Sequence, residues 1–168
     1  IWSRLVGSEM CIRDSNKDYS ELNLESIPNI AGKEVFIIVS TWNKKITDKL
    51  YEGAKFVLEN KKCIIKKVKV PGSFELVYAC KKALIKKPHA IIAIGCIVKG
   101  DTPHFDFISS SVANGISQLN LKGEVPVVFG VITANNYQQA VERCEGFSYK
   151  NKGVEAAVTA ISMINFTV

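Results

Sequence analysis

At 168 residues, 47% hydrophobic and 23% charged, the chain has the length and apolar content of one globular domain around a single core, so a second domain is not expected. No apolar run approaches the roughly 18 to 20 residues that span a bilayer, and the start lacks the basic-then-apolar pattern of a secretory signal. A soluble cytoplasmic protein is expected, or one of an organellar stroma or matrix if a transit peptide was removed. The formal charge of +6 includes scattered lysine pairs, Lys61-Lys62, Lys81-Lys82 and Lys86-Lys87, which read as solvated surface and helix-end charge rather than a nucleic-acid footprint.

In chain order, Ile1 to about Ser15 shows neither a helical period nor strand alternation and is set apart as a non-native or disordered leader, with one domain over 16–168. The β-branched run Val35 to Val39 follows, then a helical stripe at Ile46, Leu50, Ala54 and Leu58. A second run spans Ile64 to Val70, before a stripe at Leu76, Ala79, Cys80, Ala83 and Leu84. A third run, Ala90 to Ile94, precedes a stripe at Ile108, Val112, Gly115, Ile116 and Leu119. The last run, Val125 to Ile132, leads to Val154, Ala157, Val158, Ile161 and Ile164. Continuous apolar runs suit strands buried on both faces of a parallel sheet. The alternation predicts an α/β fold, a three-layer αβα sandwich with ligands at the carboxyl ends of the strands. Five cysteines, odd in number and without a CxxC pair, read as reduced thiols, and with only two histidines no metal centre is expected.

Four segments read as post-strand loops: Ser40 to Asn43, Val70 to Glu75, Gly95 to His104, and Phe129 to Thr133. Gly100-Asp101-Thr102-Pro103-His104 opens a helix, and its backbone N–H groups and threonine hydroxyl would form a phosphate-sized anion site. The same residues also make an ordinary helix cap, with Asp101 or Thr102 capping and Pro103 in the first turn. His104, at the positive end of the helix dipole, reads as a neutral ring able to accept a proton, or as a merely polar helix-start residue. Trp42 could stack on a flat heterocycle or simply pack, and Glu75 could accept from a polyol or complement a helix start. Arg143 and Lys152 flank a late loop, with surface charge as the plain reading.

The segments Val70-Pro-Gly-Ser-Phe-Glu-Leu76, Gly95-Cys-Ile-Val-Lys-Gly-Asp-Thr-Pro-His-Phe-Asp106, Val125-Pro-Val-Val-Phe-Gly-Val-Ile-Thr133 and Asn151-Lys-Gly-Val-Glu-Ala-Ala157, in this order and spacing, resemble the lumazine synthase family from about Ile30 to Ile164. The resemblance implies a flavodoxin-like sandwich with a four-stranded parallel sheet, and active sites shared between adjacent subunits of a pentamer. It implies a transferase of riboflavin biosynthesis that joins 5-amino-6-(D-ribitylamino)uracil to 3,4-dihydroxy-2-butanone 4-phosphate, releasing phosphate and water and using no cofactor.

Carried over by position, Trp42 matches the aromatic that stacks on the pyrimidine, with Asn43 beside it. Ser73, Phe74 and Glu75 match the segment holding the ribityl chain, and Cys96, Ile97 and Val98 the backbone lining the pyrimidine pocket. Gly100, Asp101 and Thr102 match the phosphate loop and His104 the proton-transfer histidine. Phe129 and Arg143 match groups supplied by the adjacent subunit, and Lys152 a lysine near the heterocycle. The chain departs from the family at Cys96, where threonine or a small residue is usual, and at Lys99, where arginine is common.

Two alternatives stand beside this: a riboflavin synthase of the same fold, and a non-catalytic flavin- or lumazine-binding protein. The loop Cys144-Glu-Gly-Phe-Ser-Tyr-Lys150 is about one residue longer than the tight Gly-x-Lys-x-Gly turn of the capsid-forming members it resembles and lacks the second glycine. A free pentamer is therefore expected rather than a sixty-subunit shell. Neither nucleic acid nor membrane is expected as a partner.

Overall fold

The computed structural model describes residues 22–123 and 125–167, so the expected leader lies outside the described residues. The predicted runs become β1 (Glu34–Ser40), β2 (Ile64–Val70), β3 (Ala90–Val98) and β4 (Val127–Ala134). They form one four-stranded sheet, all parallel, in the order β2-β1-β3-β4. Parallel neighbours require crossovers, and these are α1 (Lys44–Asn60), α2 (Glu75–Leu84) and α3 (His104–Lys122), followed by the short α4 (Tyr137–Glu142) and by α5 (Lys152–Ile164).

The stripes decide which face each helix covers. Leu50, Ala54 and Leu58 of α1 and Val154, Ala157 and Ile161 of α5 share a core with Val35, Ile37, Ile92 and Ile94 on one face of the sheet. Leu76 and Cys80 of α2 and Val112 and Ile116 of α3 pack with Ile38, Ile91 and Ala93 on the other. The result is the expected αβα sandwich. β3 is central and buried through Cys96, as a continuous apolar run should be.

β2 departs from that expectation. It is an edge strand, exposed over most of its length, and Lys66, Lys67 and Lys69 interrupt its apolar residues. Charge on an edge strand discourages unwanted pairing, so the lysines are at home there. Two loop readings are also corrected. Gly95 to Val98 and Phe129 to Thr133 lie inside β3 and β4 rather than after them, because the Val/Ile content of both segments continues the ladder. α4 was not foreseen: it is too short to show a stripe. Its start did carry a signal, Asn136 three residues before Gln139, and the Asn136 side chain accepts from the Gln139 N–H at 2.9 Å.

Candidate active site

The carboxyl ends of β1, β2 and β3 gather most of the expected residues. After β1 the chain turns at Asn43, whose backbone is left-handed (φ 55°, ψ 43°), a conformation asparagine enters more readily than most residues. From there its side-chain amide donates to the Cys96 carbonyl at 3.0 Å, fastening the end of β1 to β3. Trp42 is 67% exposed. Its backbone N–H donates to the Pro71 carbonyl at 3.1 Å, and a methyl group on Gly72 would lie 3.1 Å from its ring, so the indole sits over the β2–α2 turn. The Thr41 hydroxyl also donates to the Pro71 carbonyl, at 3.0 Å, a strut that no motif announces.

On that turn Ser73 is buried, whereas Phe74 and Glu75 are exposed. Glu75 opens α2 and accepts from the Gly72 N–H at 2.9 Å, so one carboxylate oxygen braces the turn. Ile97 and Val98 are half-buried at the end of β3. Next come Gly100, Asp101 and Thr102, all exposed, and His104, exposed as the first residue of α3. Pro103 occupies the cap position and no side chain caps the helix, so the reading of Asp101 or Thr102 as a cap is set aside. The start of α3 keeps N–H groups that no side chain has taken, which is what an anion site needs.

Cys96 contributes its carbonyl rather than its thiol: burial, with Cys144 nearby, pushes the thiol up to about 11, so it stays protonated and unreactive at neutral pH. The four described cysteines, Cys63, Cys80, Cys96 and Cys144, are free thiols.

Phe129, Arg143 and Lys152 lie elsewhere. They line a groove of about 820 Å³ along the outer edge of β4, together with Thr133, Glu155 and Phe166. Arg143 closes α4 and donates to the Gln139 carbonyl at 3.0 Å. Its own carbonyl accepts from the Lys152 backbone N–H at 2.8 Å, which ties the end of α4 to the start of α5. The Lys152 ammonium pairs with Glu155 at 2.8 Å, a partner the sequence reading did not name. Phe129 pairs with Ala93 and Ala93 with Ile38, so Phe129 stands on the outer edge strand, two strands across from β1 and, at a rise of ~3.3 Å per residue, about 7 Å short of the level of Ser40. Trp42 follows β1 and Phe129 lies on β4, with β3 between the two strands.

A parallel αβα sheet whose strand ends carry the exposed aromatic and charged groups is the architecture of proteins that bind small molecules at that edge. Comparison with known proteins narrows the class. The family model for 6,7-dimethyl-8-ribityllumazine synthase matches residues 32–167. A protein of that name from Parabacteroides distasonis is 45% identical over 157 residues, covering 90% of this chain and 96% of that protein. Another from Phocaeicola vulgatus is 44% identical over 151 residues (88% and 89%), and one from Bacteroides fragilis 46% over 136 (77% and 93%). The chain belongs to the 6,7-dimethyl-8-ribityllumazine synthase family. The expected fold, transferase class and place in riboflavin biosynthesis are borne out by that membership.

Proposed function

We propose that the chain joins the free amine of 5-amino-6-(D-ribitylamino)uracil to the ketone of 3,4-dihydroxy-2-butanone 4-phosphate, in a site that two neighbouring subunits build together. The amine attacks the carbonyl and water leaves to give an imine; phosphate is then eliminated, the second nitrogen closes the ring, and a second dehydration yields the lumazine. Trp42 stacks on the pyrimidine, Asn43 and the Cys96 to Val98 backbone hold its edge, and Ser73 to Glu75 take the ribityl hydroxyls. Gly100, Asp101, Thr102 and the start of α3 receive the phosphate, and His104 moves protons between the reacting nitrogen and oxygen. From the adjacent subunit come Phe129, packing against the heterocycle, and Arg143, pairing with the phosphate, while Lys152 lies near the ring.

Holding two reactants in register accounts for most of the acceleration, an effect worth about 7 to 11 kcal/mol in well-oriented cases. Proton transfer by His104 adds roughly 10² to 10³. The reading needs no metal or organic cofactor.

The observation that carries it is the separation of the residues into two groups. The exposed residues at the strand ends form the greater part of a site, while Phe129, Arg143 and Lys152 line a separate groove along the outer edge of β4. A ring of copies brings one subunit's groove to the next subunit's strand ends. We favour a pentamer over a shell: the α4–α5 loop has Gly146 at positive φ (70°) and lacks the second glycine of the tighter turn, while Phe147 leans on Phe56 with ring centroids 4.8 Å apart. Cytoplasmic placement belongs to the same reading.

Mixing subunits tests it. Arg143→Ala and Trp42→Ala proteins are each expected to be poorly active, the first through a raised KM for the phosphorylated ketone and the second through a raised KM for the pyrimidine. Unfolded and refolded together, they should regain activity, because some junctions then carry both intact halves. No recovery in the mixed assembly, or full activity in an isolated monomer, would overturn the shared site. Turnover of lumazine alone would instead favour a riboflavin synthase.

A further inference from the structure

The chain from Arg143 to Asn151 runs between α4 and α5 without helix or strand, so its carbonyls need partners from outside a regular ladder. Asn151, only 1% exposed, supplies them. Its side-chain amide donates to the Cys144 carbonyl at 2.8 Å and to the Gly146 carbonyl at 2.9 Å, and the Lys49 carbonyl of α1 lies 3.3 Å from the same nitrogen. The amide oxygen accepts from the Gly153 N–H at 2.8 Å and so caps α5. Carbonyls on one side and an N–H on the other call for an amide: a carboxylate has no proton for the loop, and a hydroxyl has only one. The clamp closes beside a residue of the proposed site. Cys144 directly follows Arg143, whose own carbonyl accepts from the Lys152 backbone N–H, so two successive residues at the end of α4 are tied to two successive residues at the start of α5. Arg143 itself lines the groove along β4.

We propose that Asn151 is a positioning residue for the phosphorylated ketone, acting through Arg143. The inference rests on the reading of Arg143 as the arginine that pairs with the phosphate from the adjacent subunit. A guanidinium meets a phosphate best when its planar fork faces two oxygens squarely, so the place of the arginine backbone matters as well as its charge. Arg143 follows a helix of only six residues, and the bonds from Asn151 and Lys152 fix where that helix ends. The two ends of the Asn151 amide act on different elements. The oxygen serves the first turn of α5, and with it the place of Lys152. The nitrogen holds the loop, and with it the backbone beside Arg143, against α1. A change that removes the donor and keeps the acceptor therefore loosens Arg143 while leaving α5 capped.

The test uses Asn151→Ser and Asn151→Asp, which keep a capping oxygen for α5 and lose the amide donor. Gly53→Ala is a third variant: a methyl group there would stand 2.7 Å from the Asn151 amide and press on it from α1, with the asparagine still in place. Each is measured by steady-state kinetics for both substrates and by thermal unfolding, and Asn151→Ser also in the Arg143→Ala background. Both Asn151 variants should raise the KM for the phosphorylated ketone by roughly five- to ten-fold, with the KM for 5-amino-6-(D-ribitylamino)uracil unchanged. Gly53→Ala should move the same constant in the same direction by a smaller factor, and it decides the matter if the Asn151 variants do not fold. In the Arg143→Ala background Asn151→Ser should add nothing to the ketone KM, because it acts only through the arginine. A lower Tm with both KM values raised alike, or with neither changed, would mark an asparagine that serves stability alone. Effects that multiply in the double variant would mark one that acts without Arg143; either result overturns the proposal. If Arg143→Ala raises the ketone KM and the other variants do not, the positioning role alone fails. If Arg143→Ala does not raise it, the reading of Arg143 fails and the positioning role falls with it.

Discussion

On the α1/α5 side of the sheet the chain finishes its own core: Leu50, Ala54, Val57 and Leu58 meet Val154, Ala157 and Ile161, and all are fully buried. The outer surface of α1 is charged, with Lys44 paired to Asp48 and Lys55 lying near Glu52 and Glu59. On the α2/α3 side Leu76, Cys80, Val112 and Ile116 are just as well buried, yet the same two helices expose Tyr78 (65%), Phe107 (69%) and Leu121 (79%), and Ile85 at the end of α2 is 71% exposed. A monomer has little reason to place that much aromatic and aliphatic surface on adjacent helices. The difference teaches that α2 and α3 carry apolar surface which the charged outer side of α1 lacks, in keeping with the ring of subunits proposed for the active site.

The two faces should respond differently to added volume, and this gives the largest expected effect. α1 and α5 approach so closely at Gly153 that a methyl group there would lie 1.9 Å from the Leu50 carbonyl oxygen. A backbone oxygen cannot move without moving the helix, so Gly153→Ala should cost about 3 kcal/mol or more in urea unfolding. The matching contact between α2 and α3 is at Gly115, where the methyl would meet the Val77 side chain at 2.7 Å. Both Val77 methyls stand in the way and a β-branched side chain has few other rotamers, yet it can shift more readily than a backbone oxygen, so Gly115→Ala should cost less, about 2 kcal/mol. Equal costs would mean that the two layers are equally rigid.

Raising the pH probes the α2/α3 core separately. Burial pushes the Cys80 thiol from 9.0 up to about 12. The folded state therefore keeps its proton where the unfolded chain loses it. The stability this provides is complete below pH 9 and is lost as pH rises toward the folded value, at no more than ~1.4 kcal/mol per pH unit. Cys80→Ala loses packing at neutral pH but lacks this liability. The stability gap between wild type and Cys80→Ala should accordingly narrow between pH 9 and 11. A gap that stays constant across that range would show the thiol to be less well buried than its position in the core implies.

Sequence patterning was most informative where the two faces are alike. The stripes through Leu50, Leu76, Val112 and Ile161 place every long helix, since burial on one side alone imposes the period. It was least informative where context decides. The Val/Ile runs that continue β3 to Val98 and β4 to Ala134 looked like loops because loop residues in this fold carry the chemistry, yet strand pairing extends through them. β2 looked buried because Ile64, Ile65, Val68 and Val70 were weighted above the three lysines between them, and only sheet order shows it to be an edge. In the site, motif order brought Trp42, Glu75, Cys96 and His104 to one end of the sheet as expected. That Phe129 lies on the outer edge strand, with β3 between it and the strand that Trp42 follows, was not readable until the sheet order was known. Asn151 was invisible for a different reason: an asparagine before a helix is an ordinary cap, and only the carbonyls that its amide meets from α1 and the loop make it notable.

The smallest expected effect lies at the end of α1, on the finished face. The Cys63 N–H donates to the Leu58 carbonyl at 3.1 Å and the Lys62 N–H to Glu59 at 2.9 Å, the paired bonds of a Schellman closure. Such a closure puts its penultimate residue in the left-handed region, and here that residue is Lys62, at φ 55°. Glycine usually occupies this place because a Cβ there crowds the neighbouring carbonyl, at roughly 1 to 2 kcal/mol for an ordinary residue. Part of that gain is offset by the greater freedom glycine has in the unfolded chain. Lys62→Gly should therefore stabilise the protein by about 0.5 to 1 kcal/mol, while Lys62→Ala, which keeps the Cβ, should change little. Because the lysine side chain is exposed and lies at the opposite end of α1 from Asn43, neither substitution should alter the KM for either substrate. If Lys62→Ala were to stabilise as much as Lys62→Gly, the gain would come from removing a charge beside Lys61, and the left-handed closure would not be the cause.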